Sequence, residues 1–399
     1  MNPLPPILAC TGSLQLGGST TFLLNLGRNF RERGMQFPVV SMAPENEMAG
    51  DFSSAGISVT TLPTRGLIYE DRIVRAYQAV APQRPAAVLA SLGSESFELL
   101  RLVPPGVKRF GVIQSDDPAP FEMTRHFVPW LDVLVGVSDR ICRRLREDPA
   151  FGKTRIECIP YGIAFGPQEP RPPRDPSQPI RLLYLGRIIE EQKRVSRFVD
   201  LCKILAGRGV SFEFTIAGGG PDLPKIRQQL APFSNVRCIG EVPNATTRSL
   251  FRDHDIFVLL SDYEGLPLSL LEAMGEGVVP MVSDLESGMR EVVLADVGLR
   301  VPVGDLDAAA GAIAHLAQDP GKLRAMSDAA MRRARDEYSA ARMAGRYLEL
   351  AGVPPANAPA WPATVQMPRP LILKDGWMYS GMARRARRIL KSLSLVAAI

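Results

Sequence analysis

At 399 residues the chain exceeds one ordinary compact core, so two or three domains of roughly 150 residues are expected. An apolar share of 46%, a charged share of 22% and a mean hydropathy of +0.01 speak against a disordered, fibrous or membrane-spanning chain. The net charge of +5 is unevenly placed: residues 369–399 hold seven basic side chains and one acid, whereas residues 1–368 hold 40 and 41, so the body is neutral and offers nucleic acid no matching surface.

The first apolar run, residues 7–11, reads as a buried strand. Phe22, Leu23, Leu26 and Phe30 then recur at helical spacing up to Gly34, and residues 37–42 read as a strand again, a βαβ opening. Between strand and helix stand Gly17, Gly18, Ser19 and Thr20. The glycines allow close backbone approach and Ser19 or Thr20 suits a helix N-cap, so a phosphate can lie against the positive helix end; a flexible turn accounts for the same residues. The segment has neither the G-x-G-x-x-G spacing of a dinucleotide site nor the lysine of a P-loop. Strand-like runs at 57–62, 87–91, 109–114, 131–137 and 156–159, mostly separated by helical stretches, predict a parallel sheet covered on both faces. Six prolines in the fourteen residues 166–179 then predict a linker.

The rhythm restarts with runs at 181–185, 212–217, 236–239, 256–260, 278–283 and 299–301, and a helical pattern follows from Pro320 to about Leu350. The expected class is α/β, with two doubly wound, Rossmann-like domains facing a cleft and ligands bound beyond the carboxyl ends of the strands. The expected boundaries are an N-terminal domain at 1–165, a linker at 166–180, a second domain at 181–337, a helical crossover at 338–352 and a terminal segment at 353–399.

Chemistry concentrates in the second half. Gly186 and Arg187 leave its first strand, and Lys193 follows six residues after Arg187 near a helix start, so fork and point charge can clamp a diphosphate or be plain surface charge. Strand-end placement favours ligand contact. Gly218, Gly219 and Gly220 follow another strand like a nucleotide turn, but Leu223 replaces the third glycine of the dinucleotide fingerprint, which disfavours a hydride enzyme. The richest segment spans 255–284. After its strand come Glu264, Gly265, Leu266 and Pro267, with Glu272 eight residues past Glu264 on a helix that Pro267 starts well. Amides of Gly265, Leu266 and Leu268 would then point out of the helix N-terminus as an anion site. Two ordinary surface acids are the plain alternative.

The five scattered cysteines form no C-x-x-C pair, which suits a reducing compartment rather than a disulfide framework or a zinc site. His126, His254 and His315 lie too far apart in sequence to suggest a histidine metal centre. Pro3, Pro5 and Pro6 break the N-terminal apolar stretch and no positive flank precedes it, so no secretory signal is expected and the cytosol is the expected location.

Two doubly wound halves, Gly17-Gly18, Gly186-Arg187 with Lys193, the turn at 218–220 and above all Glu264 with Glu272 resemble the retaining glycosyltransferases of GT-B architecture, the large group 1 family. The likeness runs from about residue 7 to 350 and is closest in the C-terminal half; Ile159-Pro160-Tyr161-Gly162-Ile163 resembles the family's turn into the linker. It implies that Arg187 and Lys193 neutralise the donor diphosphate, Glu272 binds the ribose hydroxyls and Glu264 contacts the transferred sugar. It also implies no metal and no cofactor beyond the nucleotide-sugar donor, with a glycan, lipid-linked or protein acceptor. Gly288 and Glu291 resemble the following loop and helix start, although Ser287-Gly288 stands where a glycine pair is expected. Many relatives place a histidine after the N-domain strand that here runs into Gln114-Ser115-Asp116-Asp117-Pro118; Asp116 or Asp117 can hold a hydroxyl instead, or serve only the turn. His126 is a more remote candidate for the same role, and is expected to be a partly buried helix residue. Near the end, Met382, Ala386, Ile389, Leu390, Leu393 and Val396 fall on one helical face with Arg384, Arg385, Arg388 and Lys391 away from it. Such a helix suits an anionic membrane, and hence a peripheral place on the inner membrane face, or docking on the body, or a solubilising tail. The rival functions are a nucleotide-sugar 2-epimerase of the same architecture and a non-catalytic sugar-nucleotide-binding module.

Overall fold

A computed structural model describes residues 6–44, 46–169, 171, 174–352 and 360–368. They divide into two compact units, one from the chain up to Gly162 together with Ala340 onward, the other Ile163–Ser339. The first holds β1 (Ile7–Thr11), β2 (Val39–Ser41), β3 (Val59–Thr61), β4 (Ala87–Ser91), β5 (Lys108–Ile113), β6 (Val133–Gly136) and β7 (Arg155–Cys158). They form a parallel sheet in the order β3-β2-β1-β4-β5-β6-β7. Helical crossovers cover both faces, so β1 and β4 are buried at every residue and show no alternation. Only β3, at the edge, carries exposed threonines.

The helix Gly18–Glu32 buries Phe22, Leu23, Leu26 and Phe30, the positions that predicted it. It begins two residues earlier than a Ser19 cap requires and three earlier than a Thr20 cap requires. Gly17 is the N-cap, and the Thr20 hydroxyl donates back to the Gln15 carbonyl at 2.6 Å instead of capping. The late helix Ala340–Ala351 belongs to this unit: Tyr347 packs 6.1 Å from the rings of both Phe22 and Phe110, and Arg33 donates to the Ala341 carbonyl at 2.7 Å. Asn25 and Met343 pin Gly162 through its carbonyl (3.0 Å) and its amide (3.1 Å), fixing where the chain leaves.

The second unit holds β8 (Ile180–Leu185), β9 (Phe212–Ala217), β10 (Val236–Gly240), β11 (Ile256–Leu259), β12 (Val279–Ser283) and β13 (Leu299–Val301). Its parallel sheet runs β10-β9-β8-β11-β12-β13. Strand order thus reverses between β1 and β4 in one sheet and between β8 and β11 in the other, the doubly wound pattern with one switch point per sheet. Phe198 packs against Tyr184 of β8 and edge-on against Phe214 of β9, with ring centroids 4.7 and 5.4 Å apart.

The proline-rich stretch is fastened to this second unit. Arg335 donates to the Gly166 carbonyl at 2.9 Å and lies 5.2 Å over the Phe165 ring, while Arg248 donates to the Pro167 carbonyl at 2.6 Å. Prolines cannot donate to a neighbour, so remote arginines supply the donors. The chain therefore changes unit at Gly162, ahead of the expected boundary. The basic amphipathic segment at 382–396 lies outside the described residues. Among the described residues no helix is long and apolar enough to cross a membrane.

Candidate active site at the strand ends of the second unit

Parallel strands deliver their following loops to one edge, and β8 and β11 end side by side at the switch point. Gly186 and Arg187 follow β8. The Tyr184 hydroxyl folds back from the strand to donate to the Arg187 carbonyl at 2.7 Å, which holds that backbone in place. The Arg187 side chain is exposed, and among the described residues its guanidinium has no protein partner.

A four-residue helix, Glu190–Lys193, follows and ends on Arg194 in left-handed backbone at φ 48°. Its last side chain meets the loop after β11: the Lys193 ammonium is bonded to the Glu264 carboxylate, which also accepts from the Ser261 hydroxyl at 2.6 Å. Gln192 reaches the other carboxylate oxygen at 3.4 Å. With side chains only 14% and 6% exposed, Lys193 and Glu264 form a nearly buried ion pair. Asp262 stitches the same two loops, its amide donating to the Gln192 carbonyl at 3.0 Å while its carboxylate takes Arg194 and, at 2.6 Å, Arg197. Burial opposes ionisation of Asp262, yet the two guanidiniums outweigh it and hold the carboxyl below its usual range. Gln192, Ser261 and Asp262 carry no motif; their only signal in the sequence is adjacency to residues that do.

Past Glu264 the chain runs through Gly265 and the buried Leu266 to Pro267, the extended N-cap of the helix Leu268–Gly275. No side chain caps that helix and no acid stands in its first turn, so its leading amides remain open to an anion. A Cβ on Gly288 would come within 3.0 Å of the Gly265 carbonyl, which explains the glycine at that point. Glu272 lies further along the helix, partly exposed. Among the described residues its carboxylate has no hydrogen bond or ion pair, and burial without compensation pushes it up to about 7.

The turn at 218–220 has an internal explanation. At Gly218, with φ 135°, a Cβ would sit 1.8 Å from the Gly186 carbonyl oxygen, and the Gly218 amide already donates to Gly240 at 2.7 Å. A Cβ on Gly219 would fall 2.1 Å from Glu241, and the Gly219 carbonyl accepts from Ile188 at 2.7 Å. These glycines let the loops after β8 and β9 touch, and the Gly218 amide is spent within the protein.

In the first unit, Gly17 has extended backbone and no atom within 4 Å of the place of a Cβ, so packing gives no reason for a glycine there. The start of its helix also lacks a side-chain cap. Asp116 is engaged by Arg140 and Arg144, both from the helix Asp139–Glu147, so its carboxylate already has partners within its own unit. His126 is exposed at the C-cap of the helix Pro118–Arg125, where a partly buried residue was expected.

Comparison with known proteins bears on this geometry. Residues 167–333 match the family model described as glycosyl transferases group 1. WcaL of Escherichia coli strain K12, by name a colanic acid biosynthesis glycosyltransferase, is 28% identical over 261 residues, 60% of this chain. That alignment spans 64% of WcaL, just under two thirds of its length. A phosphatidyl-myo-inositol mannosyltransferase of Mycolicibacterium smegmatis is 25% identical over 326 residues, 76% of this chain and 82% of the relative. A crystal structure of TarM from S. aureus with UDP superposes with a TM-score of 0.72 over 88% of this chain and all of that one, at 12% identity, a likeness of fold. In sequence, residues 167–333 are therefore similar to the group 1 glycosyl transferases, and in fold the two doubly wound sheets are similar to those of solved glycosyltransferases.

Proposed function

We propose that the chain is a metal-independent, retaining glycosyltransferase that moves a sugar, of hexosyl type, from a nucleotide-diphosphate sugar to a glycan, lipid-linked or protein acceptor. The product would belong to polysaccharide or envelope glycoconjugate synthesis, the setting that the name of WcaL carries. The observation that bears most weight is the state of Glu272: a carboxylate without a protein partner, on a helix whose N-terminus is uncapped, in the unit that presents the exposed Arg187. A carboxylate whose affinity for protons is raised by its surroundings, placed near an open helix start, is the kind of group that marks a ligand site.

The chemistry follows from charge. Breaking the bond from sugar carbon to phosphate oxygen leaves negative charge on the diphosphate and positive charge on the sugar ring. Arg187 and Lys193, with the amides at Gly265, Leu266 and Leu268, would stabilise the departing diphosphate, the role a divalent ion takes elsewhere. Glu272 would accept hydrogen bonds from the ribose hydroxyls. Glu264, paired with Lys193 and oriented by Ser261, would hold the sugar and meet the growing positive charge on its ring. Retention follows if the acceptor oxygen attacks from the face the diphosphate leaves and passes its proton to that phosphate. Gly186 leaves room for the Tyr184 ring, where a Cβ would come within 3.0 Å of its hydroxyl, and Gly218 and Gly219 act by shaping the neighbouring loop. In the first unit, Gly17 and Gly18 stay in this reading as a second helix start open to an anion.

A panel of nucleotide sugars tests the reading. Transfer, or slow release of free sugar, with the anomeric configuration kept and unchanged by EDTA, supports it. Isomerised sugar would make the chain a 2-epimerase, and binding without turnover would make it a binding module.

A further inference from the structure

Two of the five cysteines are brought together in the first unit. Cys142 stands in the helix Asp139–Glu147 and Cys158 is the last residue of β7. Pairing of β6 with β7 sets Gly136 opposite Cys158, and the Cys142 sulfur rests on Gly136, where a Cβ would fall 2.5 Å from it. Gly136 is therefore a glycine because the thiol fills the space of its side chain. The Cys142 sulfur lies 3.6 Å from the carbonyl oxygens of both Gly136 and Glu157, and the second of these belongs to the peptide that leads into Cys158. The Cys158 thiol is in turn within hydrogen-bond reach of the Cys142 sulfur and of the Asp139 carboxylate.

The two sulfurs differ in state. Cys142 is fully buried, yet the neighbouring Cys158 thiol holds it below the usual thiol range against that burial, and the Arg146 guanidinium helps. Cys158 is only half-buried, so a small solute can reach it, and Cys142, burial and Asp139 together push its thiol well up.

We propose that Cys142 and Cys158 form a reversible disulfide, a modification site whose oxidant is hydrogen peroxide or an organic hydroperoxide. The Cys158 sulfur attacks a peroxide oxygen and the O–O bond breaks; the departing oxygen takes the thiol proton and leaves as water or alcohol, and Cys158 becomes a sulfenic acid. The Cys142 sulfur then attacks the Cys158 sulfur: the S–S bond forms, the S–O bond breaks, and the hydroxide leaves with the Cys142 proton as water. Two thiols thus give two electrons to one peroxide. The raised proton affinity of Cys158 keeps it slow to react until peroxide is in excess, so the pair rests as a dithiol and responds to oxidative load.

The neighbours show what the link would tie. The helix that carries Cys142 also carries Arg140 and Arg144, which hold Asp116. Cys158 opens the run to Tyr161, whose hydroxyl donates to the Gln114 side chain at 3.3 Å. Gln114 and Asp116 belong to the loop beyond the carboxyl end of β5, the edge where ligands of such sheets bind. The disulfide joins the two supports of that loop and passes its oxidation state to it.

The test treats the reduced full chain with excess hydrogen peroxide, then alkylates it unfolded and maps its peptides by mass spectrometry. The oxidised protein is expected to keep three of its five thiols alkylatable, to yield one linked pair of peptides bearing Cys142 and Cys158, and to recover all five thiols with dithiothreitol. Cys158→Ser, at a half-buried position, is expected to fold and to form no link. Cys142→Ala is expected to leave Cys158 oxidised beyond the sulfenic stage, because no second sulfur resolves it. Amide hydrogen exchange at residues 114–117 is expected to slow several-fold in the oxidised wild type and to stay unchanged by peroxide in Cys158→Ser. Five thiols surviving the peroxide, a link between Cys202 and Cys238 in place of this one, or exchange at 114–117 unmoved by the disulfide overturns the proposal.

Discussion

Replacing Glu272 by glutamine is expected to make the ligand-free protein more stable at alkaline pH while impairing its hold on a donor nucleotide. Burial raises the folded-state carboxyl from 4.5 to about 7. Between those values the folded state keeps a proton that the unfolded state has released, so wild-type stability falls as pH rises from 4.5 through 7 and levels off above. Each tenfold change in proton affinity corresponds to about 1.4 kcal/mol, giving a ceiling of about 3 kcal/mol; partial exposure of the residue reduces this to roughly 1–2 kcal/mol. Glutamine carries no such charge, so the variant escapes the loss. For a domain of this size the gain at about pH 8 amounts to roughly 2–8 °C in melting temperature, and the gap between the proteins closes toward pH 4.5. Calorimetric scans from about pH 5 to about pH 8.5 measure it. Titration of a nucleoside diphosphate should show the opposite sign, a loss of about 1.5–3 kcal/mol from a missing charge-assisted hydrogen bond. A Glu272→Gln protein that melts no higher than wild type at about pH 8, or binds the nucleotide equally well, refutes the idea that this carboxylate is held unpaired for a ligand.

Lys193→Ala and Glu264→Ala are each expected to cost about 3 kcal/mol in a urea titration, because each strands a nearly buried charge, and the double variant should lose less than the sum; strict additivity would mean the pair is not coupled. Gly218→Ala should fail to fold or lose several kcal/mol, given a Cβ 1.8 Å from a carbonyl oxygen at φ 135°, whereas Gly17→Ala should melt like wild type. Equal melting of those two variants would contradict the packing account. Asp116→Asn leaves Arg140 and Arg144 without their carboxylate and should cost about 1–3 kcal/mol of stability with little effect on turnover; collapse of turnover at unchanged stability would return Asp116 to the reaction.

The alternation of apolar runs and helical spacing made both sheets legible, because buried parallel strands such as β1, β4 and β11 are nearly all apolar and short. Residue spacing does not reveal contacts between loops that are far apart in sequence. Lys193 and Glu264, 71 residues apart, touch because β8 and β11 are neighbours across the switch point, a fact of strand order rather than of motif. Asp116 could not be placed for the same reason: its arginines lie 24 and 28 residues onward, and Asp-Asp-Pro is sound turn chemistry whether or not they arrive. Glycines mislead in a complementary way. Gly218 carries a nucleotide-like pattern but is required by the Gly186 backbone, while Gly17, the weaker pattern, has no neighbour that requires it.

Glu264 and Glu272 share residue type and helix neighbourhood, yet their states are opposite. The first is saturated by Lys193 and Ser261, and the second is left without partners among the described residues. On the proposed reading the order of events follows from that difference. The nucleotide first satisfies Glu272, a gain that no protein contact has to be broken to obtain. The diphosphate then competes for Lys193, and with two charges it outweighs one carboxylate. Drawing Lys193 away frees Glu264 in the same step that neutralises the leaving group, so the carboxylate becomes available to the sugar only when the donor is fully seated. An isolated sugar cannot displace the ammonium and should bind poorly without nucleotide. The Lys193–Glu264 pair thus makes sugar recognition conditional on the diphosphate, and Lys193→Ala should relax that condition, raising affinity for free sugar while lowering turnover.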